Sequence, residues 1–156
     1  VVWNKIFKLD LFNGVEPVRF PKGRVQEDNF TIFRLFLNAN SIVTVNEPLY
    51  YYVQRAGSIM ANFTRRFMID TIESHMYMSD YLMNHCSSVK NELQLYLLNS
   101  YVELSRRVCA NKCKKECNDL LIQYKHYVLD HTADTSHNPL WKCKQYIKRL
   151  LVKLYY

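Results

Sequence analysis

The chain has 156 residues, of which 49% are hydrophobic and 22% are charged, and its formal net charge is +7. This is enough apolar material for a domain with a sizeable core. With only 3 glycines and 4 prolines, the chain is poor in tight turns, which argues against an all-β protein and favours helices. No apolar run approaches the roughly 18 residues of a membrane span, so we expect no segment to cross a bilayer.

The positive charge suits an anionic partner such as a nucleotide diphosphate, a nucleic acid or an anionic lipid. We expect no nucleic-acid partner, because the basic residues are not gathered into a recognition helix or arm. The 5 cysteines lack the regular spacing of a small secreted protein, and no signal peptide precedes them, which predicts a cytoplasmic protein. The sequence begins with apolar residues and no Met, so we expect another segment before it.

The first part of the chain, residues 1–62, holds all the glycines and three of the four prolines. Apolar residues at helical spacing predict a helix at about 27–39. The β-branched and aromatic runs at 41–45 and 48–54 predict two short strands.

The second part, residues 63–156, has long helical patterns. The predicted fold class is therefore mainly α with a small β portion (α+β): one helix and two strands in 1–62, then a bundle of about four helices in 63–156. A change of domain is expected near residue 62. The four predicted helices cover about 64–86, 89–109, 111–130 and 139–155.

Three cysteines, Cys109, Cys113 and Cys117, resemble a metal site, with His126 and His131 further along. On a helix, residues eight positions apart are about 12 Å apart along the axis. Three such thiolates cannot converge on one zinc, whose sulfur ligands lie at about 2.3 Å. The stripe therefore predicts a buried helix face and no metal site, with the histidines at the surface or at a cap.

The last predicted helix is basic and amphipathic, and two interpretations of it stay open. It can lie in a membrane interface, or it can pack on the core and leave a solvated basic face. Its apolar face comprises Leu140, Cys143, Ile147, Leu150 and Leu154, and its basic residues are Lys142, Lys144, Lys148, Arg149 and Lys153.

Two adjacent acids, Glu27 and Asp28, stand where the helical pattern at 27–39 begins. Acids in the first turn of a helix interact favourably with its dipole, and Asp is a common N-cap. Taken alone, the pair is explained by helix capping. The residues around it suggest a second interpretation.

In chain order come "WNK" at 3–5, "FPKGRVQED" at 20–28, a predicted helix and strand, and "PLYYYVQRAGSI" at 48–59. As a set, these segments resemble the C-terminal part of a family 2 glycosyltransferase of the GT-A type, which bacteria use to build capsule, lipopolysaccharide and exopolysaccharide. The resemblance covers residues 1 to about 60. The helices beyond are of the variable kind that such enzymes append.

The resemblance implies an inverting transfer of a sugar from a nucleotide-sugar donor to a saccharide or lipid-linked acceptor. The Asp of the Glu-Asp pair is the general base in such enzymes, which makes Asp28 the base here. Glu27 would orient a neighbour or the acceptor. A carboxylate at a helix start is held rigidly, so the cap and the base are compatible roles.

Four further residues are implied to bind substrate. Arg55 would reach the donor diphosphate, where a cation offsets charge on the leaving group. Some relatives carry a His near this point as a metal ligand, and the Arg of this sequence puts such ligation in doubt. Trp3 and Lys5 match a segment that lines the cleft, and Tyr52 would share one strand face with Tyr50.

The Asp-x-Asp pair that holds Mg²⁺ or Mn²⁺ and the nucleotide diphosphate in this family is absent from the sequence. We therefore expect the chain to bind no metal, to lack the donor-binding half and to be inactive alone. Its apolar faces would then be left open, and association with another copy is one way to cover them. The expected location is the cytoplasm, with contact at the inner membrane face through residues 139–156 as the alternative.

Overall fold

The structure is a computed structural model that describes residues 1–53, 58, 63–132, 148–149 and 151–152. The chain divides into two compact units, Val1–Asn62 and Phe63–Tyr156. Among the described residues, every helix is too short or too polar to cross a lipid bilayer.

The first unit contains a 3-10 turn, Leu9–Phe12, and one short helix, α1 (Ile32–Asn38). The side chain of Asn38 donates to the carbonyl of Leu11 at 3.0 Å, which ties the end of α1 to the 3-10 turn. Val18 and Leu35 of this unit are buried. Helix α1 begins five residues later than predicted, because residues 27–31 form irregular turns instead of a first helical turn.

The two predicted strands were wrong: in the described residues, neither 41–45 nor 48–53 forms a strand. A strand is stable only beside a partner and against a packed face. Here Val43 is 84% exposed and Tyr51 93% exposed, and no backbone hydrogen bond joins 41–53 to another described segment. The described fold is therefore α-helical with irregular segments, and the α+β assignment does not hold.

The described part of the second unit contains three long helices, which confirms the mainly helical part of the prediction. The side chain of Thr64 caps the first of them by accepting from the backbone N–H of Phe67 at 3.1 Å, as expected for an N-cap threonine. Only residues 148–149 and 151–152 of the fourth predicted helix are described, and they are helical. The three helices are α2 (Arg65–His85), α3 (Lys90–Ala110) and α4 (Lys114–His131).

One apolar cluster holds these helices together, and α3 contributes the largest share of it. The members recur at helical spacing along each helix, so each helix buries one stripe. Burying each large apolar side chain contributes roughly 1.5 to 3 kcal/mol. The cluster consists of Met68 and Ile72 from α2, Leu97, Leu98, Tyr101, Leu104 and Val108 from α3, Cys117, Leu121, Tyr124 and Val128 from α4, and Val152.

An ion pair joins the beginning of α2 to α4. The two Nη atoms of Arg65 lie 2.8 and 2.5 Å from the two carboxylate oxygens of Asp119, and the guanidinium also donates to the carbonyl of Glu116. The hydrogen bond from Arg65 lowers the pKa of the Asp119 carboxyl to about 2. Because both side chains are exposed, the pair orients the two helices more than it stabilises them.

The turn between α3 and α4 ends α3 with a positive-φ residue, Lys112, at +53°. The N–H of Cys113 donates to the carbonyl of Val108 at 3.2 Å, and the N–H of Lys112 donates to that of Cys109 at 3.1 Å. These two bonds define a Schellman motif, in which Lys112 takes the position usually held by glycine. A non-glycine side chain is strained there.

Replacing Lys112 by glycine should therefore raise the free energy of unfolding by about 0.5 to 1 kcal/mol. Urea denaturation of the chain measures this change. The matched control is Gln123→Gly, at an exposed site within α4, which should lower the free energy of unfolding by about 0.5 to 1 kcal/mol. If Lys112→Gly is as destabilising as the control, Lys112 is not strained.

Candidate functional site

Asp28 lies in the turn that precedes α1. Its backbone carbonyl accepts from the N–H groups of Thr31 and Ile32 at 3.1 and 2.9 Å, which fixes the turn. The N-cap of α1 is Thr31, and no side chain caps that helix. The carboxylate of Asp28, with 19% of the side chain exposed, lies 3.7 Å from the backbone nitrogen of Val1. Helix capping therefore does not explain this carboxylate.

Glu27 is half-buried in the same turn. Its carbonyl accepts from the Thr31 hydroxyl at 2.8 Å, while its carboxylate has no hydrogen-bond partner or cation within the residues that the structure describes. Residues 27 and 28 both precede α1, which begins at Ile32. Within the described residues, the Glu27 side chain makes no contact with the other predicted site residues, although Glu27 is adjacent to Asp28 in the sequence.

Trp3 stacks on two tyrosines from the far end of the first unit. The ring centroids of Trp3 and Tyr50 are 4.8 Å apart with 28° between the planes, and those of Trp3 and Tyr52 are 4.8 Å apart with 18°. Tyr51 points away and is 93% exposed, which an extended backbone explains without a strand. The three stacked rings are 40 to 53% exposed, so they are not core residues.

Lys5 lies on the same segment as Trp3. Its Nζ donates to the carbonyl of Val1 at 2.8 Å and to the side chain of Asn4 at 2.7 Å, and its N–H closes a turn onto Val2 at 3.1 Å. These bonds make residues 1–5 a compact turn, with the Asp28 carboxylate at its beginning.

A cleft of about 750 Å³ opens beside this turn. Its walls are residues 3–7 and most of residues 41–50, and Leu35 and Phe36 of α1 form part of its lining. The lining is mostly apolar, and its ionisable side chains include Lys5 and Glu47. Several of its lining side chains, among them Ile6, Val43 and Leu49, are largely exposed, so the cleft is open to solvent.

The structure thus brings together most of the predicted site. Asp28, Lys5, Trp3 and Tyr52 all contact residues 1–5 or belong to them. Arg55 lies outside the described residues. Sequence reasoning missed Glu47, and no spacing or motif around it would have found it, because only the fold places it in the cleft.

The cysteine stripe is part core and part surface. Cys117 is buried, Cys113 lies in the α3–α4 turn, and Cys109 at the end of α3 is exposed. Burial, together with the neighbouring Cys113, raises the pKa of the Cys117 thiol to about 11. Within the described ranges, no group of three His, Cys, Asp or Glu side chains is placed to hold a metal ion.

Arg149, predicted on the basic outer face of helix 139–155, is bound to the end of α4. Its guanidinium donates to the carbonyl of Thr132, to the Thr132 hydroxyl at 3.0 Å and to the carbonyl of Leu129 at 3.4 Å. A cation at the last carbonyls of a helix also interacts favourably with the helix dipole. Val152 nearby is fully buried in the apolar cluster.

A buried polar chain crosses the second unit. The hydroxyl of Ser100 donates to the carbonyl of Leu97 at 2.8 Å and lies 2.5 Å from the Tyr124 hydroxyl, which lies 3.0 Å from Nδ1 of His75. If each hydroxyl donates once, His75 donates to Tyr124, Tyr124 to Ser100, and Ser100 to Leu97. This order assigns the Nδ1–H tautomer to His75.

Burial controls the titration of this chain. It lowers the pKa of His75 to about 4 and raises the pKa of Tyr96, whose ring meets the imidazole edge on, to about 12. It also raises the pKa of Tyr124 far above the usual value. His75 is therefore neutral near pH 7. Because its environment is closed by three packed helices, it is a structural group and not part of the candidate site.

Two curated proteins of Streptococcus pneumoniae serotype 4 are similar to the chain. It is 45% identical to Glycosyltransferase GlyG over 56 residues, which is 36% of this chain and 18% of that protein. It is 27% identical to Glycosyltransferase GlyA over 94 residues, 60% of this chain and 13% of that protein. The chain thus spans less than a fifth of either relative. No family model matches it, and no solved structure does. The similarity supports a glycosyltransferase in general.

The buried histidine makes stability depend on pH. Below about pH 6.5 the unfolded chain binds a proton at His75 that the folded chain, with a pKa of about 4, does not. The free energy of unfolding should therefore fall by about 3 kcal/mol from this group as the pH drops from about 6.5 to about 4. In urea denaturation measured between about pH 4 and about pH 6.5, His75→Gln should remove this contribution to the slope of the free energy of unfolding against pH. The exposed-site control His126→Gln should keep it; equal slopes in the two variants contradict the assignment.

Proposed function

We propose that the chain is the C-terminal part of an inverting glycosyltransferase of the GT-A, family 2 type. In this proposal the enzyme transfers a sugar from a nucleotide-sugar donor to a saccharide or lipid-linked acceptor in cell-surface polysaccharide synthesis. The observation that carries the proposal is the 45% identity to a protein named as a glycosyltransferase. The grouping of Asp28, Lys5, Trp3 and Tyr52 around residues 1–5 supports it.

In the proposed mechanism, Asp28 is the general base. As the acceptor hydroxyl oxygen bonds to the anomeric carbon of the donor, its proton passes to the Asp28 carboxylate. The bond from that carbon to the diphosphate oxygen breaks, and the nucleoside diphosphate leaves with the electron pair. Such a base must be held within hydrogen-bond reach of the hydroxyl. The partly exposed carboxylate of Asp28, on a hydrogen-bonded turn, is compatible with this role.

The other residues have supporting roles in the proposal. Glu27 orients the acceptor or a neighbouring group. Trp3 and Lys5 line the cleft where substrate binds, and Tyr52 contributes through its stacking on Trp3. Arg55, outside the described residues, offsets charge on the departing diphosphate.

The divalent metal of this enzyme type would polarise the donor diphosphate. The sequence has no Asp-x-Asp, and among the described residues no group of three His, Cys, Asp or Glu side chains is placed to hold such an ion. In our proposal the donor and metal are held by another part of a longer polypeptide. The residues found here act on the acceptor side of the reaction.

The alternative function was that of a non-catalytic helical module, which binds an anionic membrane or an acidic partner through residues 139–156. Among the four described residues of this segment, Arg149 contacts α4 and Val152 packs in the apolar cluster. Both residues are therefore held by contacts within the second unit. We propose a cytoplasmic enzyme from its cysteine usage, and we do not propose membrane binding as its function.

The base assignment is tested in the longer polypeptide that carries this chain with a donor-binding region. Asp28→Asn should lower kcat by about 10² to 10⁴-fold, the usual contribution of a general base. The dissociation constant of the nucleotide-sugar donor should change by less than about twofold, because Asp28 does not contact the donor in this proposal. Steady-state kinetics and calorimetry measure the two quantities.

Asp10→Asn is the matched control, since Asp10 is an exposed acid of the same unit that lies outside the candidate site. It should leave both quantities unchanged. Full activity of Asp28→Asn would remove Asp28 from the base role, whatever the control shows.

A further inference from the structure

The stacked rings of Trp3, Tyr50 and Tyr52 form a surface that the proposed proton transfer does not use. We call these three residues the aromatic platform. Each ring is 40 to 53% exposed, although large aromatic side chains contribute most to stability when they are buried. Because Trp3 stacks on both tyrosines, the rings are held in place and present a fixed, partly open surface.

The position of the aromatic platform relative to Asp28 follows from the chain. The backbone nitrogen of Val1 lies 3.7 Å from the Asp28 carboxylate, and Trp3 follows Val1 by two residues, which span at most about 7 Å. The Val2–Lys5 hydrogen bond folds this stretch into a turn. The Trp3 backbone therefore lies within about 11 Å of the Asp28 carboxylate, a distance that one or two linked sugar rings cover.

The surroundings of the platform suit a sugar. A pyranose presents axial C–H groups on one face, which pack on aromatic rings, and hydroxyl groups around its edge, which need polar partners. The cleft that includes Trp3 and Tyr50 also offers the side chains of Asn4, Lys5 and Glu47. Clefts of this kind, apolar with a few convergent polar groups, bind ligands that have both characters.

We propose that the aromatic platform binds a second pyranose ring of the acceptor, next to the sugar whose hydroxyl is activated. The inference rests on the proposed function for the identity of the ligand as the acceptor. It adds a substrate class: the acceptor is an oligosaccharide of at least two sugars, and Tyr50 belongs to its binding site together with Trp3 and Tyr52.

Binding to the full chain tests this without any transfer reaction. The sequence has 2 tryptophans, so Trp141→Phe leaves Trp3 as the only indole, and its fluorescence reports on the platform. The probes are glucose, galactose and N-acetylglucosamine and their disaccharides cellobiose, lactose and chitobiose. At least one disaccharide should bind about three- to tenfold more tightly than its monosaccharide.

Tyr50→Ala should abolish that preference, and Tyr50→Phe, which keeps the ring, should retain it. The control Tyr77→Ala removes an exposed tyrosine of α2 and should retain it too; circular dichroism checks that each variant folds. No disaccharide preference in any pair, or an unchanged preference in Tyr50→Ala, overturns the proposal. So does a preference that disappears in the longer polypeptide, since the rings are then covered by protein.

The result is separable from the test of the base. If Asp28→Asn keeps its activity while Tyr50→Ala loses the disaccharide preference, the base role fails and the platform remains. If Asp28→Asn is inactive and no disaccharide preference exists, the base role stands and the platform is overturned.

Discussion

The contact of Trp3 with Tyr50 and Tyr52 is the interaction on which the candidate site depends. It joins the first residues of the chain to a segment at the far end of the same unit. The backbone nitrogen of Val1, at the start of the turn formed by residues 1–5, lies 3.7 Å from the Asp28 carboxylate. Without this aromatic stacking, residues 48–53 would lose their contact with the turn at residues 1–5. The cleft would then lose one of its walls. The site is thus assembled by aromatic packing in a unit that has little regular secondary structure.

The sequence predicted the helices of the second unit well and the first unit poorly, for a physical reason. Helical periodicity is local, so the stripe through Leu97, Tyr101, Leu104 and Val108 is visible in the sequence, and these residues are buried. A strand depends on a partner elsewhere in the protein. The β-branched residues at 41–45 have the composition of a strand, but side chains as exposed as Val43 have nothing to pack against.

The site residues also differ in whether local sequence or the fold reveals them. The motif around Asp28 can be recognised in the sequence, whereas Glu47 enters the cleft only through the fold. Arg149 shows the opposite error: its place in a basic amphipathic pattern suggested a solvent or membrane face, yet it binds the last carbonyls of α4. The pattern of charges along a sequence does not show which basic side chains donate hydrogen bonds to the last carbonyls of a helix.

The structure also changes what holds the proposed base in place. The sequence suggested a carboxylate at a helix start, where the helix dipole would act on it. Helix α1 has seven residues and begins at Ile32, so Asp28 lies a full turn before it, and the effect of a dipole falls off within one turn. Backbone hydrogen bonds to Thr31 and Ile32 position Asp28 instead. The carboxylate is therefore oriented by a turn whose other neighbour is the segment that carries Trp3 and Lys5. In our proposal, this couples the position of the base directly to the residues that bind the acceptor.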